Sequence, residues 1–240
     1  MIGGTTSLVG LLRDPKVGSL SPRMQNAAFA ALALDVAYVP LGVPPERLED
    51  AIRGLVALGF LGANVTTPHK RAAAVLCDEV EGGVESVNTL VIRDGRVIGS
   101  STDTEALGER RPAKAAVIGA GGAATAWIAE LEARGAEVRV FARKGDWPPQ
   151  TADAELVVHA TPVKDELLFE PRQGQTVIDL AYRAEGGETA HAAAARATGC
   201  ELVDGLDVLV AQGAASFELW TGVPAPVDVM RAAIRPLWHE

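Results

Sequence analysis

Ala115-Ala116-Val117-Ile118-Gly119-Ala120-Gly121-Gly122-Ala123-Ala124 is the stretch whose reading decides the fold. Its first four residues form an apolar run of the buried-strand type, and the glycines lead at once into an alanine-rich helix reaching Arg134. Strand, glycine turn and helix in this order give the spacing Gly119-x-Gly121-x-x-Ala124 the context of a dinucleotide-binding turn. The first glycine admits a tight turn, the second lets the main chain approach a pyrophosphate, and Ala124 allows the helix to lie close on the strand. Free N–H groups and the dipole at the helix start then hold phosphate oxygens. Gly119, Ala120, Gly121, Gly122 and Ala123 are therefore candidate cofactor residues; the alternative is a glycine-rich turn that binds nothing.

The next strand, residues 137–141, ends in Ala142-Arg143-Lys144. A carboxylate there would pair with ribose hydroxyls and repel a 2′-phosphate. Arg143 offers a bidentate fork to such a phosphate and Lys144 adds charge, so the loop favours NADP over NAD. Both cations read equally as solvated loop residues. Further apolar runs end at His159 and Leu180, and residues 201–203 form a last short one. Strands alternating with helices at this spacing predict a parallel sheet with right-handed crossovers, an α/β fold.

Upstream lies a second pattern of the same class. Residues 7–12 are a short strand closed by Arg13-Asp14-Pro15, and Ser21-Pro22 opens a helix with serine expected at the N-cap. A strand at 37–41 and a helix from Pro44-Pro45-Glu46 to the stop at Gly59 follow. A third strand, 61–65, runs into Thr66-Thr67-Pro68-His69-Lys70, and after a short helix the segments 88–92 and 96–99 meet at Asp94-Gly95, a hairpin signal. The texture changes between residues 104 and 112, and the tail from Gly205 to Glu240 reads as helical apart from Gly222-Val223-Pro224. The expected division is residues 1–104 with 211–240 as one domain and 105–210 as the other.

Composition narrows the function. The 240 residues suffice for two domains, and 48% apolar with 22% charged is ordinary globular usage. Net charge is −9, and no block of Lys and Arg marks a nucleic-acid or anionic-membrane surface. Met1-Ile2-Gly3-Gly4-Thr5-Thr6-Ser7 lacks the basic start and apolar core of a signal peptide, so the expected location is cytoplasmic. Cys77 and Cys200 sit in no Cys/His cluster, and no metal ligands are assigned. A small-molecule substrate, with the chain a monomer or homodimer, is the expected partner.

Lys70 is one of only five lysines against seventeen arginines, at the carboxyl end of a parallel strand, where α/β sheets place ligands. Lysine can donate or accept a proton near neutral pH when partly buried, which arginine cannot; a solvated loop lysine is the plain alternative. Here the residues carry a resemblance. Asn64-Val65-Thr66-x-Pro68-His69-Lys70 resembles the signature loop of the shikimate dehydrogenase family. Ser19-Leu20-Ser21-Pro22, Val87-Asn88-Thr89 and Thr102-Asp103 resemble its other polar motifs, in the family's order. Gly119 to Ala124 is similar to its cofactor loop, and Ala160-Thr161-Pro162 to its Ala-Thr-Pro segment. Gln212-Gly213-Ala214-x-x-Phe217-x-x-Trp220-Thr221-Gly222 is similar to its C-terminal motif.

The resemblance implies an N-terminal substrate domain, a Rossmann domain, a C-terminal helix returning to the first domain, and NADPH-linked reduction of 3-dehydroshikimate to shikimate. It places the catalytic pair on Lys70 and Asp103, and substrate contacts on Ser19, Ser21, Asn64, Thr66, Asn88 and Gln212, with Tyr182 near the nicotinamide. Cofactor contacts extend to Ala142, Arg143, Lys144, Thr161, Pro162 and Gly205. Plainer uses remain for several of them: Ser21 as a helix cap, Asn88 satisfying backbone at a strand start, Asp103 capping a helix at Thr104, Gln212 as an ordinary helix residue. Phe217 and Trp220 read as core and His69 as structural, while His159, at a strand end, reads either way. The chain departs from the family pattern at Ser101 and His159, each in place of asparagine, at Ala142-Arg143-Lys144 in place of Asn-Arg-Thr, and at Thr125 in place of a basic residue. A helix is expected to be trimmed between Arg143 and Leu156, where Pro148-Pro149 falls.

Overall fold

The computed structural model describes residues 2–235 and divides them into two units: residues 2–102 with 210–235, and Asp103–Leu209. The last five residues of the expected helical tail, 236–240, lie outside the described residues, as does Met1.

The first unit is built on a six-stranded sheet of order β2-β1-β3-β5-β6-β4. Its strands are β1 (Ser7–Arg13), β2 (Val36–Gly42), β3 (Gly62–Val65), β4 (Glu79–Val80), β5 (Thr89–Arg93) and β6 (Arg96–Ser100). Strands β1, β2 and β3 are parallel, joined by α1 (Ser21–Ala31) and α2 (Leu48–Ala57), whereas β5 runs antiparallel to both β3 and β6. The Asp94-Gly95 turn closes the hairpin with positive φ at both positions, 51° and 75°, the backbone form that matches strand twist. Strand β4 has two residues, too few to show a period, and was not expected. Helix α3 (Lys70–Val75) follows β3. Residues Leu12, Ile52, Leu55, Val65 and Leu90 form the core beneath α2.

The second unit holds β7 (Lys114–Ile118), β8 (Glu137–Phe141), β9 (Leu156–His159), β10 (Thr176–Asp179) and β11 (Glu201–Val203), all parallel in the order β11-β10-β9-β7-β8. Helix α4 (Gly122–Ala133) carries the crossover from β7 to β8, and α5 (Ala190–Ala197) that from β10 to β11. The connections 142–155 and 160–175 contain no helix. The first was expected from Pro148-Pro149; the second departs from the expected alternation. There Leu168 and Phe169 cover the sheet face against Ile118, Val157 and Val177, burying apolar area that a crossover helix would otherwise bury.

Helix α6 (Gly205–Thr221) starts in the second unit, and from Val210 onward its residues belong to the first. Helix α7 (Val227–Ile234) then packs on α1. Phe217 of α6 is fully buried, stacked on Phe29 of α1 at 5.1 Å between ring centroids. Trp220 donates its indole N–H to Leu90 O at 2.9 Å. Both aromatic residues are core, as their spacing suggested.

Candidate active site

The carboxyl end of β3, the start of β5 and the residues just after β6 lie at one edge of the first sheet, because β5 runs against its two neighbours. That edge gathers Asn64, Asn88, Thr89 and Thr102, and α6 lays Gln212 and Ser216 over it, one helical turn apart. Asn64, 5% exposed, accepts from the Tyr38 hydroxyl at 2.8 Å. Its amide nitrogen donates to Asn88 O at 3.0 Å, Ser216 Oγ at 3.0 Å and Thr89 Oγ1 at 3.3 Å. Thr89 and Ser216 hydroxyls are 2.7 Å apart. Asn88 Oδ1 accepts from Thr102 N at 2.8 Å, and its Nδ2 donates to Thr102 Oγ1 at 2.9 Å and reaches Gln212 Oε1 at 3.5 Å. Thr102 Oγ1 in turn donates to Gln212 O at 2.9 Å.

The same network extends to α1. Ser21 hydrogen-bonds the Tyr38 hydroxyl, and Ser19 Oγ lies 3.1 Å from Ser21 Oγ. Ser21 is not the N-cap of α1. The helix begins at Ser21 with Leu20 in the cap position, and Ser19 supplies the hydroxyl that accepts Ser21 N–H at 3.1 Å. Ser21 thereby keeps its own hydroxyl for Tyr38. Five of the residues marked from sequence, Ser19, Ser21, Asn64, Asn88 and Gln212, thus belong to one connected set. Sequence reasoning missed Tyr38, Thr89 and Ser216, which tie that set together. Burial drives the Tyr38 phenol far above its ordinary pKa, so it stays a neutral hydrogen-bonding hydroxyl.

Helix α6 reaches this position through Gly213. A Cβ there would fall 2.2 Å from Met24 Cε and 3.3 Å from Gln25 Nε2, and Gln25 donates to Gly213 O at 2.8 Å. The glycine of the Gln-Gly-Ala stretch is a close approach between α6 and α1.

Thr66 and Lys70 follow Asn64 along the chain, both half-buried, on either side of a cis Thr67-Pro68 bond. Thr66 N donates to Leu12 O at 3.0 Å, and Lys70 O accepts Val87 N at 3.2 Å. Lys70 is the first residue of α3. His69 beside it is buried at 1% exposure. Asp103 and Tyr182 belong to the other unit. Asp103 is half-buried, and Thr104, not Asp103, takes the cap position of the short 3-10 turn Glu105–Leu107.

In the second unit, the positions marked for cofactor follow the carboxyl ends of β7, β8, β9 and β11, strands of one parallel sheet. The crossovers reverse direction at the β7/β9 boundary, the switch point where open parallel sheets bind ligands. Gly119 has φ 125°, and a Cβ there would meet Ala160 O at 2.6 Å, so the turns after β7 and β9 touch. Gly121 caps α4 in an extended conformation, and a Cβ on Gly121 or Gly122 would meet nothing within 4 Å. Ala120 to Ala123 are exposed and Ala124 is fully buried, so the exposed main chain opens a twelve-residue helix whose base is packed. Helix N-terminal N–H groups facing open space fit a pyrophosphate.

Ala142 is half-buried and Lys144 exposed. The Arg143 guanidinium is exposed, 5.8 Å from the Trp147 ring centroid and 3.6 Å from Glu166. An exposed fork beside an indole face fits a nucleotide phosphate and base. Gly205 lies against the main chain of Ala181 and the Cβ of Tyr182, where a Cβ would be 2.3 Å from Ala181 O. Burial raises the Tyr182 phenol pKa. Pro162 is exposed and Thr161 half-buried.

His159, Asp179 and His191 bring three possible ligand atoms within 4.8 Å of one another, all buried. His159 Nδ1 and Asp179 Oδ1 are bonded to each other at 2.8 Å. His191 Nε2 accepts Leu168 N–H at 2.9 Å, so its ring proton sits on Nδ1. Coordination through Nδ1 would move that proton to Nε2 and set two donors against each other. His159 and Asp179 are a hydrogen-bonded pair, with the His191 ring centroid 4.0 Å from that of His159.

The chain also matches known proteins along its length. Residues 14–90 match the shikimate dehydrogenase substrate binding domain, and residues 205–235 the shikimate 5′-dehydrogenase C-terminal domain. The shikimate dehydrogenase (NADP(+)) of Anaeromyxobacter dehalogenans (strain 2CP-C) is 43% identical, with 97% of each chain covered. A crystal structure of shikimate dehydrogenase from Aquifex aeolicus matches with a TM-score of 0.87 at 30% identity, over 98% of this chain and 100% of the other. That of shikimate 5-dehydrogenase from Thermus thermophilus, in complex with NADP(H) and shikimate, matches at 0.85 and 30%, over 96% and 99%.

Proposed function

Because the chain belongs to the shikimate dehydrogenase family, we propose that it catalyses the reversible NADPH-dependent reduction of 3-dehydroshikimate to shikimate, a step of aromatic amino acid biosynthesis. The observation that carries this reading is the polar network from Ser19 to Gln212, formed in a unit whose residues 14–90 match a substrate binding domain. A polyhydroxylated cyclohexene carboxylate needs hydroxyl and amide partners, and Ser19, Ser21, Asn64, Thr66, Asn88 and Gln212 supply them, with Tyr182 beside the reacting end. In this reading residues 1–104 and 211–240 hold the substrate, and 105–210 hold NADP.

NADPH, when bound, supplies the hydride that reduces the ketone carbon. Lys70 holds a proton at Nζ and delivers it to the ketone oxygen as that oxygen gains charge. Asp103 orients the Lys70 ammonium and a neighbouring substrate hydroxyl. Gly119, Ala120, Gly121, Gly122 and Ala123 bind the pyrophosphate, Ala142, Arg143 and Lys144 the 2′-phosphate ribose, and Thr161, Pro162 and Gly205 the nicotinamide half. The positive fork of Arg143 favours NADP over NAD, against the alternative of a quinate-type enzyme using NAD. No helix among the described residues is long and apolar enough to cross a membrane; the proposed place of action is the cytoplasm, as a monomer or homodimer.

The test is an absorbance assay of the purified chain with shikimate, quinate or no acid, each with NADP and with NAD. Shikimate with NADP is the expected pair. Preferred turnover of quinate with NAD would install the alternative, and nucleotide binding without turnover of either acid would mean a weakly catalytic ligand-binding regulator.

A further inference from the structure

We infer that His159, backed by Asp179, is a positioning residue that sets the hydrogen-bonding sense of the Thr161 hydroxyl toward bound dinucleotide. The inference rests on the reading above that Thr161 lines the NADP site. His159 and Asp179 end neighbouring strands β9 and β10 in register, and both side chains are 0% exposed. Asp179 Oδ1 accepts from His159 Nδ1 at 2.8 Å and from Ala181 N at 3.0 Å, and Oδ2 accepts the Thr189 hydroxyl. Because a carboxylate oxygen accepts, the bond to Asp179 makes Nδ1 the donor side of the His159 ring.

Nε2 of the same ring lies 2.5 Å from Thr161 Oγ1, at the surface end of the cluster, where Thr161 is half-buried. With Nδ1 donating to Asp179, Nε2 accepts the Thr161 proton, and the hydroxyl turns only lone pairs outward, one of them toward Val163 N at 3.3 Å. The imidazole therefore has Thr161 meet its ligand as an acceptor. Among the described residues, the titratable groups facing this ring are Asp179 from β10 and His191 from α5. His191 lies 4.0 Å away between ring centroids and, pushed down to about 4 by burial and then by the neighbouring imidazole, stays neutral over the range in which histidines commonly titrate. A His159→Asn side chain can donate and accept but lacks the rigid ring that ties Asp179 on one side to Thr161 on the other.

The experiment is calorimetric titration of NADP into wild type, His159→Asn, Thr161→Val and the double variant. The expected result is a wild-type affinity about threefold to tenfold greater than that of His159→Asn. Thr161→Val should match His159→Asn, and the double variant should add nothing. Equal affinities for wild type and His159→Asn, or losses that add in the double variant, would reduce His159 to a structural residue and overturn the inference. Should His159→Asn fail to fold, Thr161→Val against wild type makes the same comparison. Nitrogen NMR of the nucleotide-free protein decides the relay separately: a protonated Nδ1 with a bare Nε2 at alkaline pH supports it, and the opposite tautomer overturns it. A folded wild type with no affinity for NADP overturns the cofactor reading itself, which is distinct from binding with equal affinities.

Discussion

The Tyr38 hydroxyl donates to Asn64 Oδ1 at 2.8 Å, with Tyr38 2% and Asn64 5% exposed. Asn64 therefore has its amide turned one way only, nitrogen toward Asn88, Thr89 and Ser216. Tyr38→Phe removes the donor and leaves a buried carbonyl oxygen short of a partner, which costs about 1–3 kcal/mol. Urea unfolding should show that loss, and the KM for shikimate should rise more than kcat falls. An unchanged midpoint and KM would mean that the network does not depend on Tyr38.

Gly213→Ala should destabilise the protein by about 1–3 kcal/mol, because the new Cβ would sit 2.2 Å from Met24 Cε in a fully buried contact. The colliding atom is the end of a flexible side chain, so Met24→Leu, which lacks it, should recover part of the loss in the double variant. Thermal melts of the four proteins check this, and additive losses would place the strain elsewhere.

His191 gives the fold an acid-sensitive element. Its pKa falls from 6.5 to about 4, burial being the main cause and the charge of His159 the next. The unfolded chain takes up this proton first, so stability declines as pH drops from about 6.5 toward about 4, by roughly 3 kcal/mol at most. His191→Gln keeps an acceptor for Leu168 N–H and removes the titration. Denaturant unfolding at neutral pH and near pH 4 should show a smaller acid loss in the variant, and equal losses would assign the sensitivity to other groups.

Lys70→Ala should lower kcat by about 10²–10⁴-fold and leave shikimate KM within a few-fold, since the ammonium acts mainly as charge develops on the oxygen. Near-normal turnover would remove Lys70 from the chemistry.

Arg143→Ala should raise KM for NADP far more than for NAD. Glu166 lies 3.6 Å from this guanidinium at an exposed position, so Glu166→Gln should shift preference modestly the other way, toward NADP. Steady-state constants with both nucleotides decide, and equal changes for the two would show that Arg143 does not read the 2′-phosphate.

Local patterns made much of this legible. The Gly119 turn, the Asp94-Gly95 hairpin and the trimmed segment at Pro148-Pro149 each depend on backbone constraints confined to a few adjacent residues. The unexpected absence of a helix in residues 160–175 has no such local signal, because Leu168 and Phe169 cover the sheet there without any helical period.

By itself, the chain order determined which segments become strands and helices, and which short polar motifs fall at strand ends, because hydrophobic period and turn chemistry act over a handful of residues. Only the tertiary structure decided that Asn64 meets Ser216, 152 positions away, that Tyr38 joins them, and that His159 is held by Asp179. A hydroxyl or imidazole on a strand reads the same whether it faces solvent or a partner. Its role is set when a buried donor must find an acceptor, and that acceptor comes from whichever element the fold packs against it.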